Sequence, residues 1–217
     1  MFPKYELIYF DIRGFAEMAR LLFVDQGIDF SEKRICIKEN KDEWMKVKDQ
    51  FTFGQVPCLM DGEKMIVQTG AIMRHLARRH NLYGDSEEDY VYADMFFDGV
   101  RDLRMKYARF IYQDYEIEGK REEFLDTTVP TALEQLEKLF KSRQNGERFV
   151  LGEKISFVDY AFFEELDILL VLQPTSLDKY PTLKAYHKRM NERSTLKDYI
   201  EKRNADGVWI NGIERQT

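Results

Sequence analysis

Phe53-Gly54-Gln55-Val56-Pro57-Cys58-Leu59 and, shortly after it, Val67-Gln68-Thr69-Gly70-Ala71-Ile72 decide how the first part of this chain is read. The first stretch places a proline inside a segment that otherwise has strand character. Proline has no N–H to give to a ladder, so it belongs at an edge or a bulge. Val56, just before it, then keeps its N–H and C=O for an outside partner. The second stretch sets a hydroxyl and a glycine at the start of a strongly helical run. A helix start presents unpaired N–H groups and the positive end of a dipole, which suits a carboxylate. Together they describe a site for a small anionic peptide, with strand-like pairing for its backbone and a helix terminus for its carboxylate.

Working outward, residues 5–10 read as a short buried strand and Arg13-Gly14 break it. An apolar-striped helix follows from Ala16 to Gln26, with Gly27 as its stop. Residues 29–37 suggest a second strand, and Lys41 to Asp49 a short charged helix carrying Trp44. Val56 to Met60 is a third strand, Asp61-Gly62 a hairpin turn, and Met65 to Val67 the returning strand. Thr69 to His80 closes the series as a helix. The order β-α-β-α-β-β-α over residues 1–82 predicts a small mixed sheet with helices on its faces. Strand signals then stop. Helical patterns run over Ser86 to Tyr115, Arg121 to Lys141, Ser156 to Leu172, Leu183 to Arg193 and Leu196 to Lys202. Residues 83–217 are therefore expected to form an all-helical domain with a tail containing Trp209. Ser156-Phe157-Val158-Asp159 is a capping box with Asp in place of Glu or Gln, flanked by Ile155 and Tyr160 as a hydrophobic staple.

Composition narrows the function classes. The chain carries 33 basic and 39 acidic residues, a net charge of −6, which argues against nucleic acid as the main partner. The N-terminus is too short and too charged for a secretory signal, and no run is long and apolar enough for a membrane span. Cys36 and Cys58 are too few for a disulfide scaffold or a usual zinc site. The plain expectation is a soluble, reduced, cytoplasmic protein without a metal, whose two cysteines are small buried residues.

The proline after Gln-Val, the Gln-Thr-Gly at a helix start and the helical half with Ile155-Ser156-Phe157-Val158-Asp159-Tyr160 jointly resemble a cytosolic glutathione transferase. Asp94-Met95-Phe96-Phe97-Asp98-Gly99-Val100-Arg101-Asp102-Leu103-Arg104, Lys106-Tyr107 and the closing Ile210-Asn211-Gly212 are most similar to the pi class. The resemblance covers nearly the whole chain. It implies a thioredoxin-like glutathione-binding domain over 1–82, followed by helices contributing an electrophile pocket. The implied activity is conjugation of the glutathione thiolate to small hydrophobic electrophiles, with glutathione as co-substrate.

From its place at the end of a strand, Tyr9 reads as a packing residue; the resemblance makes it the catalytic tyrosine. A thiol titrates near ~8.5, so activation needs a hydrogen-bond donor that prefers the thiolate. The resemblance further assigns Val56, before Pro57, to the cysteinyl backbone. Gln68 and Thr69 go to the γ-glutamyl carboxylate, and Trp44 and Lys48, supported by Gln55, to the glycyl carboxylate. Asp102 would reach the γ-glutamyl ammonium across a homodimer interface. Phe10, Ile12, Phe15, Ala108, Tyr112, Asn211 and Gly212 are the electrophile-pocket candidates. Phe53 is the expected subunit anchor, with packing against Phe51 or Trp44 as the alternative. Two residues depart from the pi pattern. Phe15 stands where a basic residue is usual, which either leaves the thiolate less stabilised or hands the role to Arg13. Trp44 lies four residues before Lys48, a spacing like the sigma class, which raises a glutathione-dependent isomerase or prostaglandin synthase as an alternative. A non-catalytic binding relative is a third, disfavoured because Tyr9, Gln68 and Thr69 are all present.

Overall fold

A computed structural model describes residues 4–37 and 41–213; the outermost ends of both expected domains lie outside them. The described chain runs β1 (Tyr5–Phe10), α1 (Glu17–Asp25), β2 (Phe30–Ile35), α2 (Lys41–Val47), β3 (Cys58–Asp61), β4 (Lys64–Val67) and α3 (Thr69–Arg79). Then follow α4 (Glu87–Arg109), α5 (Lys120–Glu123), α6 (Val129–Lys141), α7 (Phe157–Leu172), α8 (Pro181–Asn191) and α9 (Lys197–Ala205). None of these helices is long and apolar enough to cross a membrane.

The sheet has the order β2-β1-β3-β4. β1 pairs with β2 in parallel, from Tyr5 opposite Phe30 to Phe10 opposite Ile35. β1–β3 and β3–β4 are antiparallel. The hairpin turns at Gly62, whose φ of 62° only glycine adopts freely. Successive side chains on β1 point to opposite faces. Tyr5 faces α1, its ring 5.5 Å from that of Phe23. Ile8 faces the other way, into a cluster with Ile35, Phe51 and Cys58. Trp44 and Val47 of the α2 segment pack onto that cluster, as do Phe10, Val56, Met60 and Val67.

Pro57 behaves differently from the expectation of an edge strand. β3 is an inner strand, paired on both sides, and Pro57 lies just ahead of it. The missing N–H therefore costs the ladder nothing. Val56 is also beyond the last paired residues, as expected, so the sheet does not use its N–H and C=O.

Tertiary contacts divide the chain into two compact units. The first holds the residues up to His80 together with those from Asn191 onward; the second is Asn81–Met190. The segment from 191 was expected in a helical domain over 83–217, but its bonds are to the sheet unit. The Arg193 guanidinium meets Asp25 at 2.5 Å, and Thr195 donates to the same carboxylate.

In the helical unit, α4 starts at a Ser86 cap that accepts the Asp89 N–H at 3.2 Å. The single helix expected over 86–115 becomes α4 followed by a wide π-type turn at Phe110–Asp114. The expected helix over 121–141 is likewise interrupted by a wide turn at Phe124–Thr128. Pro130 supplies the reason, since it cannot donate to the carbonyl four residues back and its ring crowds that carbonyl. The Ser156 box is more elaborate than a lone cap. Both the N–H and the hydroxyl of Ser156 donate to Asp159 Oδ2 at 2.8 Å. Val150 N–H and the Tyr186 hydroxyl reach Oδ1 at 2.9 and 3.0 Å.

Candidate active site

The sheet register brings three of the expected segments to one edge. Ile8, Cys58 and Val67 form a row across β1, β3 and β4. One residue further along each strand lie Tyr9, Pro57 and Gln68. Neighbouring strands are ~4.8 Å apart, so this row spans about 10 Å, the reach of an extended tripeptide.

Tyr9 points to the α1 face of the sheet and is only 4% exposed. Its hydroxyl oxygen accepts the Phe15 N–H at 3.0 Å. That bond occupies an acceptor position of a hydroxyl that is also a donor. An N–H dipole aimed at this oxygen also favours negative charge on it. So the loss of a basic side chain at position 15 is met by the backbone of the same residue. Arg13 is buried, and its charge acts on the Glu17 carboxyl.

Gly14 makes the approach possible. Its φ is 47°, and a Cβ there would sit 2.4 Å from the Tyr9 hydroxyl. Gly14→Ala is expected to cost about tenfold or more in kcat/KM, because displacing an activating group by a fraction of an ångström is that costly. Steady-state kinetics beside a thermal-unfolding control would check it; a fully active, stable variant would contradict it.

The cap residue of α3, Gln68, makes no side-chain cap bond among the described residues, so it does not itself satisfy the first N–H groups of the helix. Gln68 holds a left-handed φ of 71°, rare for a residue with a side chain. Such strain costs of order 1–3 kcal/mol and clusters at functional sites. The Gln68 amide donates to the Gln55 side chain at 3.3 Å, joining two of the expected binding residues. Thr69 is buried in the first turn.

Trp44 is half-buried, edge-on to Phe10 at 5.2 Å and stacked on Phe51 at 5.8 Å. That places it on the same side of the sheet as Val56 and Val67. Lys48 opens the short turn after α2 and makes no ion pair with the described residues. Burial pushes the Cys58 thiol up to about 11, so it holds no thiolate at neutral pH. Cys36, expected to be buried like Cys58, is half-exposed instead.

Glutathione S-transferase is the description of both family models that match: its N-terminal domain over residues 5–78 and its C-terminal domain over 101–203. The chain belongs to the glutathione S-transferase family. It is 49% identical to "Glutathione S-transferase" of Dirofilaria immitis and 51% identical to "Glutathione S-transferase 2" of Onchocerca volvulus. Each match covers 98% of this chain and all of the relative. It is 52% identical to "Glutathione S-transferase P 10" of Caenorhabditis elegans, over 97% of each chain. Among solved structures, the Pi-class transferase of Onchocerca volvulus superposes with a TM-score of 0.91 at 50% identity, over 96% of this chain and 97% of that one. A sigma-class transferase of Fasciola hepatica gives 0.80 at 30%, over 92% and 96%. The pi-class resemblance is the stronger, despite the Trp44 spacing.

Within this transferase, the sheet unit also carries Phe10, Ile12, Phe15, Asn211 and Gly212. Ile12 and Asn211 are buried and the other three half-exposed. Ala108 and Tyr112 belong to the helical unit, on α4 and in the turn after it, with Tyr112 47% exposed. Asp102 is exposed on α4 and forms no ion pair among the described residues, so pairing with Arg101 or Lys106 is not its role. Phe53 is 62% exposed, which excludes packing against Phe51 or Trp44.

Sequence reasoning missed the interior of the loop after β1. Arg20 is 1% exposed and donates to the Ile12 carbonyl at 2.7 Å, the Arg13 carbonyl at 3.3 Å and the Phe10 carbonyl at 3.4 Å. A lone cation on the apolar stripe of α1 was the available sign. The backbone bonds of the tail to this loop carry no sequence signal at all. They run from Arg13 N–H to the Trp209 carbonyl at 2.7 Å and from Gly14 N–H to the Ile210 carbonyl at 3.1 Å.

Proposed function

We propose that this transferase binds glutathione along the edge formed by Tyr9, Val56-Pro57 and Gln68-Thr69, and joins its sulfur to small apolar electrophiles. The alignment of those segments in one row of the sheet carries the assignment. Val56 pairs with the cysteinyl backbone, so the sulfur faces Tyr9. The γ-glutamyl carboxylate meets the start of α3 with Gln68 and Thr69. Trp44, Lys48 and Gln55 take the glycyl carboxylate.

Tyr9 donates its proton in a hydrogen bond to the sulfur, which stabilises thiolate over thiol. The thiol proton passes to solvent and the thiolate attacks the electrophilic carbon. In a substitution the leaving group departs with the electron pair; in an addition the pair stays on the product as an oxyanion that solvent protonates. The electrophile is assigned to Phe10, Ile12 and Phe15 with Asn211 and Gly212. Ala108 and Tyr112 are the candidates of the helical unit, Tyr112 as a donor to a developing oxyanion. The test is turnover of a chlorinated nitroaromatic together with retention on immobilised glutathione, for the wild type and Tyr9→Phe. Retention with turnover lost in the variant supports the assignment. Retention without turnover in either protein would mark a carrier.

A homodimer is part of the same proposal, with Asp102 reaching the partner's glutathione and Phe53 as anchor. A large aromatic left exposed beside Gly54 is what an interface anchor looks like in an isolated chain. Phe53→Ser is expected to shift sedimentation from dimer to monomer at micromolar concentration. A variant that stayed fully dimeric would refute the anchor. The cytoplasm is the compartment that suits this reaction and the two unpaired cysteines.

A further inference from the structure

Helix α9 holds no residue assigned to the reaction, yet two of its side chains end beneath the loop that follows β1. The target is Glu17, on the first turn of α1 and 1% exposed. Its two oxygens are divided between two directions. Oε1 accepts from the Tyr199 hydroxyl at 3.0 Å and from the Arg203 guanidinium at 3.1 Å, both on α9. Oε2 accepts from Arg20 at 3.0 Å. Arg20 is also tied to Glu32 of β2 at 2.6 Å, and its guanidinium lies 5.9 Å from the centre of the Tyr9 ring. The same Arg20 holds the carbonyls of residues 10, 12 and 13, so its position sets the course of the loop. Beyond α9, the Trp209 and Ile210 carbonyls hold the N–H groups of Arg13 and Gly14. The next N–H in the chain is that of Phe15, the one aimed at Tyr9.

Stability alone does not explain this arrangement. Buried ion pairs are often matched or exceeded by well-packed apolar residues, whereas their directionality fixes one geometry. We infer that Tyr199 and Arg203, acting through Glu17 and Arg20, are positioning residues that hold the Phe15 N–H on the Tyr9 hydroxyl. The inference rests on Tyr9 being the activating residue. Charged and titratable groups around the cluster are Arg13, Glu17 and Arg20 on the loop and α1, Glu32 and Arg34 on β2, and Tyr199 and Arg203 on α9. Burial pushes the Glu17 carboxyl up, but Arg20, Arg203 and Arg13 outweigh it and hold the group below its usual range. Burial and the Glu17 charge together raise the Tyr199 hydroxyl, so it remains a donor throughout the working range.

The experiment compares Tyr199→Phe, Arg203→Lys and Arg203→Met by the pH profile of kcat/KM, with KM for glutathione and the urea midpoint measured alongside. Arg203→Met is expected to lower kcat/KM about tenfold, short of the ~100-fold that a full ångström of misplacement costs. The acidic limb should move to higher pH while KM for glutathione changes little. Tyr199→Phe should move the same way by less, and Arg203→Lys should recover most of the loss. If Arg203→Met fails to fold, Tyr199→Phe decides. Lower stability with an unchanged pH profile and kcat/KM would overturn the inference. In a Tyr9→Phe background, Arg203→Met should cause no further shift of the limb. If Tyr9→Phe by itself left turnover intact, the fault would lie with the assignment of Tyr9 and not with the strut.

Discussion

Replacing Tyr9 with phenylalanine is expected to lower kcat/KM for conjugation by about 10- to 100-fold while the protein still binds immobilised glutathione. The magnitude follows from what is removed. One hydrogen bond to a charged group contributes about 1.5–3 kcal/mol, and each ~1.4 kcal/mol is a factor of ten in rate. Binding should survive because the ligand's carboxylates are assigned elsewhere, at the start of α3 and on the Trp44 side of the sheet. The fold should survive because the ring stays packed beside Phe10. The loss should be greatest below neutral pH, where free glutathione is almost entirely thiol. Toward pH 9 the thiol ionises unaided, so the variant should close on the wild type. A loss uniform across pH would place Tyr9 in binding or packing instead.

Asp159→Ala should be the most destabilising single change among the residues discussed, by about 3–5 kcal/mol, because several buried donors lose their acceptor at once and each unsatisfied one costs about 1–3 kcal/mol. An isolated helix cap contributes only about 1 kcal/mol. Asp159 does more because its buried carboxylate collects four donors from three parts of the helical unit: Ser156 N–H and hydroxyl, Val150 N–H and the Tyr186 hydroxyl. Removing it strands the Ser156 and Val150 donors in the interior, among Phe157, Phe162 and Tyr186, while the Tyr186 hydroxyl keeps the Asp159 main-chain carbonyl at 3.0 Å. Urea unfolding monitored by tryptophan fluorescence would measure the loss. Specific activity of the folded fraction should be unchanged, since no proposed ligand contact involves Asp159. A midpoint shift worth less than ~1 kcal/mol would show that the box acts only as a cap.

How far these features could be read from the residues differs from place to place. The strand and helix order of the sheet unit followed from periodicity and from Asp61-Gly62, and the register then placed Tyr9, Pro57 and Gln68 in one row. Pro57 was read correctly as interrupting a ladder but wrongly as marking an edge. A proline one residue ahead of an inner strand looks the same in one dimension. The wide turn before Pro130 was hidden for a similar reason, because a helical pattern continues through it while the hydrogen bonds do not. Gln68 in a left-handed conformation was not legible at all, since nothing in Val67-Gln68-Thr69 calls for glycine-like geometry.

The function of position 15 was half legible. A missing basic side chain is visible in the sequence, but its replacement by a backbone N–H depends on how the loop folds over Gly14. The tail was expected beside the helices and packs instead with the sheet unit. Its links are main-chain carbonyls and buried ion pairs between residues nearly two hundred positions apart, beyond the reach of any local pattern.

The activation of glutathione by Tyr9 is tested most directly by titrating the thiol in the binary complex, following thiolate absorbance against pH for the wild type and Tyr9→Phe. The wild-type complex should titrate clearly below the ~8.5 of a free thiol, and the variant complex close to that value. An equally depressed value in both complexes would contradict the assignment, and would move the stabilising charge from the Tyr9 hydroxyl to another group at the same edge of the sheet.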